Sequence, residues 1–222
     1  MRIALSGKMS TGKSTIARKF AKQKGYRVLS IGSEIKPLAR DLIENRKRFE
    51  EKIAKVLPDA EKRNAVLDEI YLYYDKRFRN TQWIKNRLGN YIKTNDYRLL
   101  LQEFPMVIRY HLGNDVFLRL MLEREKAMIA HMKNIIVDDL RLPEEKELLE
   151  SLGFITVRLD VSEEEQLRRI QRKYGSVDLS TLKHVTETAL DHDHFDYRID
   201  TTGQTDDSVF EELVSIVSKI EK

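Results

Sequence analysis

Residues 7–14, GKMSTGKS, constrain this chain more than any other stretch, because they fit G-x-x-x-x-G-K-[ST] and begin directly after the apolar run Ile3-Ala4-Leu5. Such a loop carries meaning only between a strand and a helix. Both are expected here: residues 13–24 place Ile16, Ala17, Phe20 and Ala21 on one helical face, and Gly25 stops the helix. Gly7 and Gly12 let the backbone curl so that successive N–H groups point inward at phosphate oxygens. The positive end of the following helix adds to that field. Lys8, Ser10, Thr11 and Gly12 then line a site for ATP. Lys13 reaches its β- and γ-phosphates, the Ser14 hydroxyl ligates Mg²⁺, and Thr15 supports the helix start or an α-phosphate.

At 222 residues, with 41% hydrophobic and 34% charged residues, the chain can bury one sizeable core and reads as a single domain with a large insert. It contains no cysteine, which excludes disulfides and cysteine-ligated zinc and fits a reducing, cytoplasmic location. No apolar stretch approaches membrane-spanning length, and a charged N-terminus leading straight into residues 7–14 is not that of a signal peptide. The net charge of +4 suits an anionic substrate, but charges of both signs alternate along the helical stretches, as on a solvated surface. Composition therefore does not call for a nucleic-acid partner.

Strand signals at residues 27–31 (RVLSI), 134–138 (NIIVD), 154–160 (FITVRLD) and 197–200 alternate with helical ones at 34–48, 98–109, 114–131, 142–152, from Ser162 onward, and 206–219. Strand–helix alternation after a phosphate-binding loop predicts an α/β fold of the P-loop NTPase type, a three-layer sandwich with a parallel sheet and a helical insert. Its ligands belong at the carboxyl ends of the strands. Asp138 and Asp139 follow the apolar run Ile135-Ile136-Val137, so one or both can serve Mg²⁺ opposite Ser14, while one can instead cap the next helix.

Residues 139–145, DLRLPEE, are similar to the D-x-R-h-P-x-E segment (h apolar) of the deoxynucleoside monophosphate kinases of bacteriophages and their relatives, which are adenylate-kinase-like P-loop kinases. Three further segments resemble that family in the same order. They are SIGSEIK at 30–36, RLLLQ at 98–102 with Arg109 and Asp115, and DYRIDTTG at 196–203 ahead of an acidic and apolar helix. The resemblance touches most of the chain outside residues 45–95. It implies ATP and Mg²⁺ as cofactors and transfer of a phosphoryl group to a (deoxy)nucleoside 5′-monophosphate. It also implies a substrate site containing Ser33, Lys36, Arg98, Gln102, Arg109, Asp115, Asp139 and Arg141. The sequence departs from the family at Glu103-Phe104-Pro105, where Gly-Thr is expected, at Gly32-Ser33-Glu34, and at Thr201-Thr202. These departures bear on the base accepted more than on the reaction.

Such a transfer brings two polyanions together, so it needs positive charge around the moving group and exclusion of water. Lys13 serves the donor; Arg98, Arg109 and Arg141 are candidates to clamp the acceptor phosphate, since guanidinium matches phosphate with paired hydrogen bonds. Residues 160–190 fall where this family carries a lid, and Arg168 and Arg172, four apart on one helical face, are its candidate triphosphate contacts. The aromatic and basic stretch at 45–95 reads as a helical insert covering the acceptor pocket or forming a homodimer contact. The cluster Asp191-His192-Asp193-His194 cannot turn every member toward one ion, and Asp200–Gly203 lacks an accompanying N-K-x-D motif, which sets a transition-metal site and a GTPase aside. The rival readings are another small-molecule P-loop kinase, resembling dephospho-coenzyme A kinase, and a nucleotide-gated nucleic-acid-binding protein using the aromatic stretch.

Overall fold

The computed structural model describes residues 1–175, 178 and 182–221. In chain order the elements are β1 (Arg2–Ser6), α1 (Lys13–Lys24), β2 (Arg27–Leu29), α2 (Gly32–Glu44), α3 (Arg46–Val56), α4 (Ala60–Phe78), α5 (Asn95–Leu112), α6 (Val116–Arg124), α7 (Lys126–His131), β3 (Ile135–Leu140), α8 (Pro143–Ser151), β4 (Ile155–Asp160), α9 (Glu163–Tyr174), α10 (Val185–Thr188), β5 (Tyr197–Asp200) and α11 (Asp206–Ile220). They form two compact units, Met1–Ile31 with Leu118–Lys222, and Gly32–Phe117.

The first unit is built on a five-stranded, all-parallel sheet in the order β2-β3-β1-β4-β5. Parallel strands buried on both faces need near-continuous apolar sequence, and β1 and β3 supply it with Ile3, Ala4 and Leu5 beside Ile135, Ile136 and Val137, all at most 1% exposed. One face of the sheet packs against α1 through Ile16, Ala17 and Phe20 and against α11 through Val209, Phe210, Leu213 and Val217. Phe20 lies at the centre of this layer, with Tyr26 and Phe210 edge-on to it at 5.2 and 5.1 Å between ring centroids. The chain leaves β1 for β2, returns inward to β3, and then crosses to the other side for β4. The loops after β1, β3 and β4 therefore open where the strand order reverses, which is where α/β sheets bind ligands.

The sheet departs from the sequence expectation at β3. The strand does not end at Asp138; it runs on through Asp139 to Leu140. Ala4 pairs with Val137 and Ser6 with Leu140, so β3 uses three steps where β1 uses two, a bulge at Asp138-Asp139. The extra residue increases the local twist and re-aims the side chains beside it.

The second unit is helical. The single helix expected over 34–48 is two, because the Asn45 side chain accepts the Arg48 N–H and starts α3 afresh. Residues 79–94, read from sequence as part of a helical stretch, hold no α-helix but a loop closed by an antiparallel bridge between Lys85 and Tyr91. Much of the aromatic stretch is core. Tyr74, Phe78 and Tyr97 are buried, and the Trp83 ring stacks on Tyr74 at 6.4 Å and donates its indole N–H to the Tyr74 hydroxyl.

Candidate active site

The loop between β1 and α1 has the backbone that its glycines require. Gly7 has φ +139°, and a Cβ there would lie 2.4 Å from the Leu159 carbonyl oxygen and 2.9 Å from Thr11 Oγ1. Gly12, at φ +94°, starts α1 with no side-chain cap hydrogen bond, and an uncapped helix N-terminus is suited to an anion. Ser10 is held at φ +67°, the one positive φ of a non-glycine residue among the described residues. Its hydroxyl oxygen is buried and has no hydrogen-bond partner among the described residues. A strained loop with an uncapped helix N-terminus and an orphaned hydroxyl fits a polyanionic ligand.

Lys13 is buried, and its ammonium donates to the carbonyls of Gly7 at 2.5 Å and Lys8 at 2.8 Å and to Thr11 Oγ1 at 3.4 Å. Burial, followed by the charge of Arg141, lowers its pKa to about 7; Glu187, Asp138 and Asp139 pull the other way. Ser14 is exposed in the first turn of α1, and Thr15 donates its N–H to the Gly12 carbonyl at 2.9 Å. Lys8 pairs with Asp191 at 3.0 Å.

The bulge gives the two aspartates different surroundings. Asp139 accepts the Ser30 hydroxyl and the Ile31 N–H, both at 2.7 Å, and so ties the end of β3 to the turn after β2. Asp138 is buried at 8% exposure and acts electrostatically on Lys13. A serine hydroxyl and a carboxylate are hard oxygen donors, so Ser14 and Asp138 fit Mg²⁺ by chemistry.

The segment after β3 is a turn built to present Arg141. Glu145, fully buried, accepts the backbone N–H groups of Arg141 at 3.1 Å and Leu142 at 3.2 Å, and Pro143 opens α8. The Arg141 guanidinium reaches Glu187 at 2.7 Å and the Thr186 carbonyl at 3.3 Å. Burial works against its charge, but Glu187 and the charges of Asp139 and Glu145 together outweigh burial and raise its pKa above the ordinary arginine value.

In α9 the two arginines singled out from sequence are exposed, and Arg168 pairs with Glu165. The arginine turned toward the loop is Arg169. It donates to the Thr201 carbonyl at 2.5 Å, to Thr201 Oγ1 at 3.1 Å and, at the long limit of 3.5 Å, to the Ser10 carbonyl. Gln166, one turn earlier, donates to the Met9 carbonyl at 3.0 Å. The sequence signal was the buried Gln166-Ile170 stripe, which Arg169 flanks. Residues 176, 177 and 179–181, within the stretch expected to form a lid, lie outside the described residues. The acidic loop that follows has structural partners: Asp191 pairs with Arg158 at 2.5 Å, and Asp196 accepts the N–H and hydroxyl of Thr156 at 2.8 and 2.9 Å.

The remaining expected residues belong to the helical unit. Arg98, Gln102 and Arg109 recur at i, i+4 and i+11 and share one face of α5. Arg109 is buried, donates to the Asn114 carbonyl at 3.2 Å and lies 5.1 Å from the centre of the Phe117 ring. Arg98 donates to the Lys93 carbonyl at 3.2 Å. Glu103-Phe104-Pro105 continue α5 where the resembling family was expected to turn. At the start of α2, Ser33 is half-buried with its hydroxyl 3.4 Å from Glu34, and Lys36 is exposed; Asp115 is half-buried between α5 and α6.

A family profile described as an AAA domain matches residues 3–183. No curated protein is similar to the chain in sequence. Among solved structures the chain is similar to TT1252 from Thermus thermophilus, with 18% identity and a TM-score of 0.51 over 98% of this chain and 96% of that one. It is similar, with a TM-score of 0.48 and 14% identity, to a dephospho-CoA kinase from Campylobacter jejuni over 98% and 96% of the two chains. It is also similar, with a TM-score of 0.44 and 14% identity, to a deoxyadenosine kinase from M. mycoides over 99% and 100%. The parallel sheet, the loop after β1 and the TT1252 likeness together make the fold an α/β P-loop NTPase.

Proposed function

We propose, for a chain that belongs to the AAA domain family, the ATP-dependent phosphorylation of a (deoxy)nucleoside 5′-monophosphate to the diphosphate. One observation carries the reading. The strand-end loops of the sheet hold a phosphate loop with a buried lysine and, on the turn after β3, a half-buried arginine held on a carboxylate. Two separate cationic anchors suit a reaction between two phosphates better than simple binding of one.

In this reading the loop N–H groups and Lys13 hold the triphosphate, and Ser10 donates its hydroxyl to a phosphate oxygen. Ser14 and Asp138 would hold Mg²⁺, which would supply neutralisation of phosphate charge during the transfer. Asp139 positions the turn at residues 30–31 rather than touching metal, consistent with its two hydrogen bonds there. An oxygen of the acceptor phosphate forms the new bond to the γ-phosphorus as the bond to the β–γ bridging oxygen breaks, and ADP leaves. The attacking oxygen is already anionic, so no general base is required. Arg141 holds the acceptor phosphate, and Arg98, Gln102 and Arg109 on α5 supply further acceptor contacts. Arg169, tied to the loop through Ser10, is the α9 arginine that supports the donor.

A coupled ADP-release assay over the common ribo- and deoxyribonucleoside monophosphates, with Mg²⁺, tests the reading. At least one should stimulate turnover well above the acceptor-free rate. Folded protein inert toward all of them would sink it.

A further inference from the structure

Glu187 lies in α10, 178 residues beyond Met9, yet its carboxylate sits on the phosphate loop. One oxygen accepts the Met9 N–H at 2.7 Å; the other pairs with Arg141 at 2.7 Å. The side chain is 8% exposed, and its charge acts on Lys13 as well. A loop N–H, a half-buried arginine and a nearby buried lysine are the groups that recognise a phosphate, and here an anion of the protein's own takes two of them. The segment carrying Glu187 is held at both ends. His184 caps α10 through the Thr186 N–H, and Asp191 pairs with Lys8 of the loop and with Arg158.

We infer that Glu187 is an internal anion standing in for a phosphate, so that the segment 184–191 is a gate which an incoming triphosphate must displace. The inference rests on the reading of residues 7–14 as an ATP site. Displacement returns the Met9 N–H to the nucleotide and releases Arg141 toward the acceptor. The acceptor's anchor is thus completed only once the donor has bound, which favours ATP binding first.

Calorimetric titration of the full chain with ATP and with tripolyphosphate, wild type against Glu187→Gln, tests the gate. The glutamine keeps the shape and removes the competing charge, so both ligands should bind about tenfold tighter or better. Affinity unchanged or weaker in the variant overturns the gate alone. If neither protein binds either ligand, the ATP-site reading falls with it. Amide exchange on the wild type gives a readout that does not depend on how the variant folds. ATP should slow exchange in residues 8–15 and speed it in 184–190. Exchange at 184–190 that stays constant or slows overturns the gate.

Discussion

In the proposed reaction the loop after β1 and the face of α5 are assigned the same chemical task, holding phosphate with positive charge, and they are built for it by opposite means. The loop is eight contiguous residues whose backbone is fixed by φ values only glycine tolerates well, and its lysine is locked by the loop's own carbonyls. The α5 face consists of side chains one or more turns apart on a helix that would form without them, because Tyr97, Leu100, Phe104 and Ile108 pack its other face. A site made of backbone is intolerant of change and reads only phosphate. A site made of side chains is adjustable and can read the rest of the acceptor.

This contrast predicts that substitutions in the loop abolish function while those on α5 alter preference. The largest effect is expected at Lys13. Lys13→Ala should lower kcat/KM by roughly 10²–10³-fold, as for other losses of transition-state charge stabilisation, with far-UV circular dichroism preserved. Activity near wild type would remove the loop from the reaction. Next comes Gly7→Ala, whose Cβ would collide with the Leu159 carbonyl at a φ of +139°. A loss of about 1–3 kcal/mol of stability is expected in urea unfolding, together with loss of ATP binding. A neutral result would show that the loop backbone is not fixed. Arg98→Ala and Arg109→Lys should raise KM for the acceptor by about tenfold while leaving KM for ATP within about twofold, each removing one charge-assisted hydrogen bond. Equal changes in both KM values would erase the division between the two regions.

The smallest effect concerns protons. Lys13, with its pKa brought down to about 7, is largely neutral at pH 8 in the free protein. A bound triphosphate favours the ammonium, so ATP binding at pH 8 should take up close to one proton, and affinity should decline as pH rises above about 7. Calorimetry in buffers of different ionisation enthalpy measures the uptake, and Lys13→Arg should abolish it. In the ligand-free protein the same shift has a definite sign. Between about pH 7 and the ordinary lysine value the unfolded chain binds the proton that the folded chain does not, so this group's contribution to stability rises with pH.

What could be read from the sequence follows the same division. The loop, the strands beside it and the α/β class were legible because their signals are contiguous and periodic. The bulge at Asp138-Asp139 was not, because a bulge is defined by its pairing with β1, and no local pattern separates a strand that ends at the first aspartate from one that runs through both. Arg169 was passed over for Arg168 and Arg172, whose spacing is regular, although the loop contact is set by which side of the Gln166-Ile170 stripe faces inward. Glu187 gave no signal at all: one glutamate in a four-residue helix acquires its role only when folding brings it to Met9 and Arg141. Asn45 was readable as a cap, and the helix break there follows the ordinary rule for such residues.

Transfer from a loop-held donor to a second phosphate would be decided by the fate of the γ-phosphate. With γ-labelled ATP, Mg²⁺ and an equimolar pool of nucleoside monophosphates, the label should appear in a nucleoside diphosphate, with little in inorganic phosphate. Label recovered only as inorganic phosphate, at a rate indifferent to the monophosphates, would make the protein a nucleotide hydrolase and not a monophosphate kinase.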